Sequence, residues 1–221
     1  EISLEAYNHL YDITVKNLLT MSSGLNKVLL MGNEKKQGIG YPDYLKFMFS
    51  QKLEFKPGSK FCYSNGDTYL LARIVSKVYN KPFTQLCYEK IFLPLEIGFP
   101  IWGCDPMGYC TAASELSLSI EEMNRLGILF LNNGVYKGKR IISEAYVKAC
   151  STTQIKTNED HWGDYSYQFW MTEGEGYRAD GAFGQITFIW PKYNLTLSFQ
   201  RPEDDNLGRV LEILREEVLS K

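Results

Sequence analysis

The hydrophobic positions of this 221-residue chain change period once, near residue 160. Before that point apolar residues recur at helical spacing; after it, aromatic and β-branched residues gather in short runs. Thr14 is placed to cap a short helix reaching Met21, with Gly24 as its stop. Pro42 falls in the first turn of a helix running to about Gln51, where its missing N–H costs nothing. Over 66–80, Leu70, Ile74 and Val78 share one helical face. Pro82 opens the next helix, with Leu86 and Ile91 inward, and the pattern ends before Pro94. Ser119-Ile120-Glu121-Glu122 is a capping box, in which Ser119 and Glu122 satisfy two orphan backbone donors. Met123, Leu126 and Phe130 form the stripe of the helix that follows, and Gly134 after Asn132-Asn133 stops it. Ser143 caps one more.

Beyond residue 160, Tyr165–Met171, Phe183–Trp190 and Leu195–Phe199 read as strands. Pro191-Lys192-Tyr193-Asn194 turns the last two into an antiparallel hairpin. Leu207, Val210, Leu211, Leu214 and Val218 then make an amphipathic helix over 206–220, suited to covering one sheet face. The pattern predicts an α+β chain: a mainly helical region over 1–160, then an antiparallel sheet and C-terminal helix over 161–221.

Composition changes this picture little. Apolar residues make up 44% and charged ones 23%, and 24 Lys+Arg against 26 Asp+Glu give a net charge of −2. That balance offers nothing to nucleic acid or an anionic membrane. No apolar run approaches the ~20 residues of a membrane span. Five cysteines (Cys62, Cys87, Cys104, Cys110, Cys150) lack Cys-x-x-Cys spacing, and only His9 and His161 accompany them. They read as free, mostly buried thiols in the cytoplasm, with export left open, and no metal or organic cofactor is expected.

The chemistry lies in two short segments. Tyr63-Ser64-Asn65 precedes the 66–80 helix, and Ala179-Asp180-Gly181-Ala182 precedes the strand to Trp190. Taken with Ile13–Leu25, Ile91–Leu95, Ala112–Ser119, Leu131–Arg140 and Tyr167–Trp170, they resemble the serine β-lactamase and penicillin-binding-protein-like superfamily over nearly the whole chain. The resemblance implies a β-lactamase/transpeptidase-like fold. It makes Tyr63 the proton-transfer residue and gives Asn65 the orientation of substrate and of the catalytic lysine. Asp180-Gly181-Ala182 becomes the oxyanion and substrate wall, with the Ala182 N–H as one donor. In that family a Ser-x-x-Lys motif carries the nucleophile, and no serine here has lysine three residues later. The family also places that motif further ahead of Tyr-x-Asn than this chain extends, so the nucleophile and first strands are expected upstream. Alone, the chain should be inactive. The strand at Leu195–Phe199 should then have an open edge, and part of the C-terminal helix's apolar face should be bare. A homodimer or swapped assembly would cover them.

The resemblance implies acyl-enzyme hydrolysis of a small ester or amide. The third motif keeps its glycine but lacks the usual cation, which argues against a β-lactam or D-alanyl peptide. A D-amino-acid peptidase and a catalytically silent binding member remain as alternatives. Within the chain itself, Cys62-Tyr63-Ser64-Asn65-Gly66 imitates a nucleophile elbow, with Ser64 and His161 in triad order, but no buried apolar strand leads into it. Without the flanking sequence, Tyr63 and Asn65 read as a structural tyrosine and a helix cap, and Gly181 as a strand entry.

Overall fold

Side-chain caps start four of the helices. In the computed structural model, which describes residues 10–25, 42–158, 163–172, 176–200 and 207–219, Thr14 caps α1 (Val15–Leu19) in a reciprocal box with Asn17. Asp43, not Pro42, caps α2 (Tyr44–Phe49), its carboxylate accepting from the Lys46 N–H at 3.0 Å. Pro42 therefore stands before the cap, where a carboxylate oxygen does what a proline ring cannot. Ser119 and Glu122 form the expected box on α5 (Ile120–Leu131), and Ser143 caps α6 (Glu144–Cys150).

Helix α3 (Asn65–Tyr79) departs from its expected face. Ile74 and Val78 are 38% and 73% exposed, and the buried positions are Asn65, Gly66, Asp67, Tyr69, Leu70 and Ala72. Packing grips the first half of the helix, where Leu18, Leu25, Tyr44 and Met48 gather around Tyr69 and Leu70. α4 (Phe83–Cys87) continues past its expected end through a π turn (Tyr88–Phe92) into a 3₁₀ turn (Leu93–Leu95). Pro94 lies inside that last turn: the chain changes helix type there instead of stopping.

Two short hairpins follow, β1 (Ile101–Trp102) with β2 (Leu116–Ser117), and β3 (Val135–Tyr136) with β4 (Lys139–Arg140). The main sheet is antiparallel, in the order β5 (Trp170–Thr172), β6 (Gly176–Asp180), β7 (Gln185–Trp190), β8 (Leu195–Gln200). Strand β6 escaped the sequence pattern because Gly-Tyr-Arg-Ala-Asp shows no apolar alternation. Its alternation is present but charged: Arg178 and Asp180 share one face and pair with each other, Nε to Oδ2 at 3.0 Å, both buried. The expected strand at Tyr165–Met171 is shorter, since Ser166–Phe169 forms a turn with Gln168 at φ +65°. The 3₁₀ turn Ala182–Gly184 likewise delays β7 to Gln185.

Helices cover both sheet faces. On one, Ile186, Phe188 and Trp190 pack with Leu214 of α7 (Leu207–Leu214), which passes into a π turn at Arg215–Leu219. The side chains of Leu207, Val210, Leu211 and Val218 lie outside the described residues. On the other face α5 comes very close at Gly127, where a Cβ would stand 2.2 Å from Thr196 Oγ1 and 2.9 Å from Thr187 Cγ2. β8 pairs only with β7 among the described residues, leaving the end of the sheet that was expected to be open. No described helix is long and apolar enough to cross a membrane.

The α5–sheet contact yields a prediction. Gly127→Ala gains about 1 kcal/mol of intrinsic helix propensity, but overpacking against Thr196 costs about 1–3 kcal/mol. The variant should have a lower urea midpoint than the wild type; equal stability would show that α5 can lift from the sheet freely.

Candidate functional site

The turn that carries Tyr63 is tied down by its backbone. Cys62 N–H donates to Met21 O at 2.8 Å, Gly58 N–H to Ser22 O at 2.8 Å, and Ser64 N–H contacts Met21 Sδ at 3.5 Å. Residues 57–64 thus run against the loop after α1 before turning into α3. Ser64 occupies the N-cap position without a side-chain cap bond, and Asn65 is the first helical residue, not the cap. Ser64 is also fully buried and no strand leads into it, so it has neither the exposure nor the setting of a nucleophile elbow. His161 lies outside the described residues.

Tyr63 is 38% exposed and its ring lies nearly parallel to Trp170 of β5, centroids 6.0 Å apart at 13°. Tyr165 meets both rings edge-on, and Phe61 packs behind them at 5.3 Å from Tyr165 and 5.5 Å from Trp170. Trp170 is the cross-strand partner of Arg178, so Tyr63, Trp170, Arg178 and Asp180 meet on one side of the sheet. Desolvation, and after it the Asp180 carboxylate, raise the Tyr63 pKa above its ordinary value. The phenol is therefore held protonated: as placed, Tyr63 carries a proton to donate and is not a phenolate base.

Asn65 is 3% exposed, and its Nδ2 donor has no hydrogen-bond partner among the described residues. Such a group costs roughly 1–3 kcal/mol, so this amide is an unfilled donor at the helix start. Gly181 and Ala182 are exposed just past β6. Gly181 N–H donates to Gln185 O at 2.8 Å, whereas Ala182 N–H opens the 3₁₀ turn, a position with no intrahelical acceptor. Asp180 does not face substrate as a free charge; Arg178 holds it. A substituent at Gly181 would meet Gln185 Oε1 at 3.0 Å, a tight approach to a side chain that can swing away.

Three residues the sequence pattern passed over hold this arrangement. Gln168 Oε1 accepts from Thr68 Oγ1 of α3 at 2.7 Å, while its Nε2 donates to the Leu18 and Leu19 carbonyls of α1 at 3.3 and 3.2 Å. Arg178 also donates to Met171 O at 3.0 Å. Asp67, in the first turn of α3, is fully buried and accepts from Ser23 Oγ at 2.6 Å, with Oδ2 unpartnered among the described residues. Burial pushes its pKa up to about 7, against the lowering effect of the Ser23 hydroxyl and backbone N–H. An acidic residue in a helix's first turn is so ordinary that nothing in the sequence marks it.

Asp67 makes stability pH-dependent. Its folded pKa lies above its unfolded value near 3.9, so between about 4 and 7 the folded state binds the extra proton and stability falls as pH rises. Asp67→Asn should flatten that segment of the urea-midpoint profile, and the difference between wild type and variant should change by a few kcal/mol at most between pH 4 and 7.5. Parallel profiles would place the Asp67 carboxyl in water.

The family model for Beta-lactamase matches residues 5–205, and the chain belongs to that family. Among solved structures it resembles a protein assigned as a 6-aminohexanoate-dimer hydrolase from Bacillus anthracis (20% identity, TM-score 0.72, 94% of this chain and 60% of that one). It also resembles an octameric penicillin-binding protein homologue from Pyrococcus abyssi (19%, 0.73, 95% and 56%). A third is EstCE1, a hydrolase with promiscuous acyltransferase activity (14%, 0.71, 92% and 71%). These likenesses show a β-lactamase/transpeptidase-like fold of helices and antiparallel sheets. The chain spans 60% and 56% of the length of the first two. No curated protein sequence matches it.

Proposed function

We propose that this member of the Beta-lactamase family is part of a serine hydrolase that cleaves a small ester or amide through an acyl-enzyme, its nucleophilic serine lying outside these 221 residues. The observation that carries this reading is the orphan Asn65 Nδ2 at the start of α3, two residues from Tyr63. A buried amide donor without a partner among the described residues suits a carbonyl oxygen to be held, and a phenol suits a leaving group to be protonated. Tyr63-Ser64-Asn65 and Asp180-Gly181-Ala182 resemble the second and third of the family's three motifs, and no Ser-x-x-Lys is present in these residues.

The roles are those the resemblance implies. The serine hydroxyl attacks the carbonyl carbon, and the Ala182 N–H shares the developing oxyanion with the serine's own N–H. Tyr63 gives its proton to the departing oxygen or nitrogen, and water then cleaves the acyl ester. Acceptance of the serine proton needs a cation beside Tyr63 to lower its pKa, as the lysine of Ser-x-x-Lys would. Asp180, neutralised by Arg178, offers no positive charge to a substrate carboxylate, which favours neutral esters and amides over β-lactams and D-alanyl peptides. The β8 edge, unpaired on its outer side among the described residues, suits pairing with another copy of the chain.

Fluorophosphonate labelling with peptide mapping tests this, on the 221-residue chain and on the translated product of its whole gene. The chain should take no adduct, and the whole product should be labelled on the serine of a Ser-x-x-Lys. In that product Tyr63→Phe should lower p-nitrophenyl ester turnover about 10²-fold or more. An adduct on Ser64 or any other serine of these residues overturns the reading. So does a whole product without the motif and without label, which would mark a silent binding member.

A further inference from the structure

Cys104 and Cys110 face each other as an antiparallel bridge pair across the turn at 105–109. The backbone bonds flank them instead of joining them: Asp105 N–H donates to Tyr109 O at 2.7 Å, and Thr111 N–H to Gly103 O at 2.9 Å. That pattern defines a non-hydrogen-bonded pair, the closer of the two antiparallel registers, with Cα atoms about 4.5 Å apart. Disulfide-linked cysteines have Cα separations of about 4.4–6.8 Å. Both thiols are free. Cys104 is exposed and its Sγ leans toward Trp102 O at 3.8 Å, while Cys110 is buried.

The turn between them is already ordered. Asp105 Oδ1 accepts from the Met107 and Tyr109 N–H groups, each at 2.9 Å. Its Oδ2 accepts from Tyr69 of α3 at 2.6 Å. Arg73, one helical turn on, donates to the Tyr69 hydroxyl at 2.8 Å and lies 3.4 Å over the Tyr109 ring. The strands are therefore held in register by contacts that do not involve sulfur, and the backbone already has the pairing a cross-strand disulfide needs.

We propose that Cys104 and Cys110 form a dithiol site that is oxidised to a cross-strand disulfide by a small-molecule disulfide of the glutathione type. The steps balance as two exchanges. The exposed Cys104 thiolate attacks one sulfur of the oxidant, releases one glutathione thiolate and leaves a mixed disulfide. Cys110 then loses its proton and attacks Cys104 Sγ, displacing the second glutathione. Two protein thiols are oxidised, one disulfide is reduced to two thiols, and no other electron acceptor is needed. Burial holds the Cys110 thiol up at about 11, so its attack is the slow step. Cys87 is a third thiol, whose pKa burial and then Cys110 raise, and it is the competing partner. The bridge would lock the turn that Tyr69 and Arg73 clasp, and so stiffen the loop against the helix that begins with Asn65.

The reduced chain should be equilibrated in graded glutathione/glutathione disulfide buffers, quenched with an alkylating agent and mapped without reduction. The peptide containing both cysteines should become two hydrogens lighter and unalkylated, while Cys62 and Cys150 remain alkylated. Cys104→Ser should abolish the change. Cys110→Ser should trap glutathione on Cys104, and Cys87→Ser should leave the bridge intact. Thermal melting should rise on oxidation of the wild type and stay unmoved in Cys104→Ser. A stable glutathione adduct on Cys104 in the wild type overturns the proposal. A Cys87–Cys110 bridge, or alkylation of both cysteines at every poise, does the same.

Discussion

The amide of Gln168 joins three parts of the chain far apart in sequence. Its oxygen takes the Thr68 hydroxyl of α3 and its nitrogen reaches the final carbonyls of α1, roughly 100 and 150 residues away in sequence. The Gln168 N–H adds a bond to Leu19 O at 3.1 Å. Helix ends expose carbonyls that need donors, and here a donor from the approach to the sheet supplies them. That bond fixes the β5 entry, hence Trp170, hence the surface on which Tyr63 stacks. Left-handed backbone at Gln168 is a cost that these four contacts offset.

Four buried side-chain atoms lack partners among the described residues: Asn65 Nδ2, Asp67 Oδ2, Ser114 Oγ and the Tyr177 hydroxyl. The first two belong to the first turn of α3. At the junction of α5 with the sheet, by contrast, Asn124 takes the Thr196 and Ser198 hydroxyls where Gly127 lets the helix approach. The start of α3 is thus a place where a buried donor and a carboxylate oxygen lack partners among the described residues.

Much of this was legible in the sequence, but unevenly. The caps at Thr14, Ser119 and Ser143 could be read because a single side chain does the work, within three residues of its target. β7 and β8 could be read because their apolar face is continuous. β6 could not, because its inward positions are filled by Arg178 and Asp180, whose burial is permitted only by their pairing. The inward face of α3 was misjudged in part: Leu70 is core as expected, but Ile74 and Val78 are exposed, and the helix is gripped in its first half through Tyr69, which also donates to Asp105. At the candidate site, Tyr63, Asn65 and Gly181 carry a local signature, whereas Asp67, Gln168 and Trp170 act through partners far along the chain.

The sign of the charge around Tyr63 then decides what the residue can do. Its one identified charged influence is Asp180, an anion, and the cation nearest that anion, Arg178, is committed to it by a 3.0 Å contact and to the Met171 carbonyl. Burial and charge thus both favour the phenol. An ammonium about 4 Å away contributes on the order of 4 kcal/mol at an effective dielectric of about 20, roughly three pKa units in favour of the phenolate. Such a cation would oppose both the desolvation and the Asp180 carboxylate that raise the Tyr63 pKa. Asp180 in turn favours the charged form of any ammonium placed beside it, so the carboxylate that holds the phenol protonated would also hold such a cation charged.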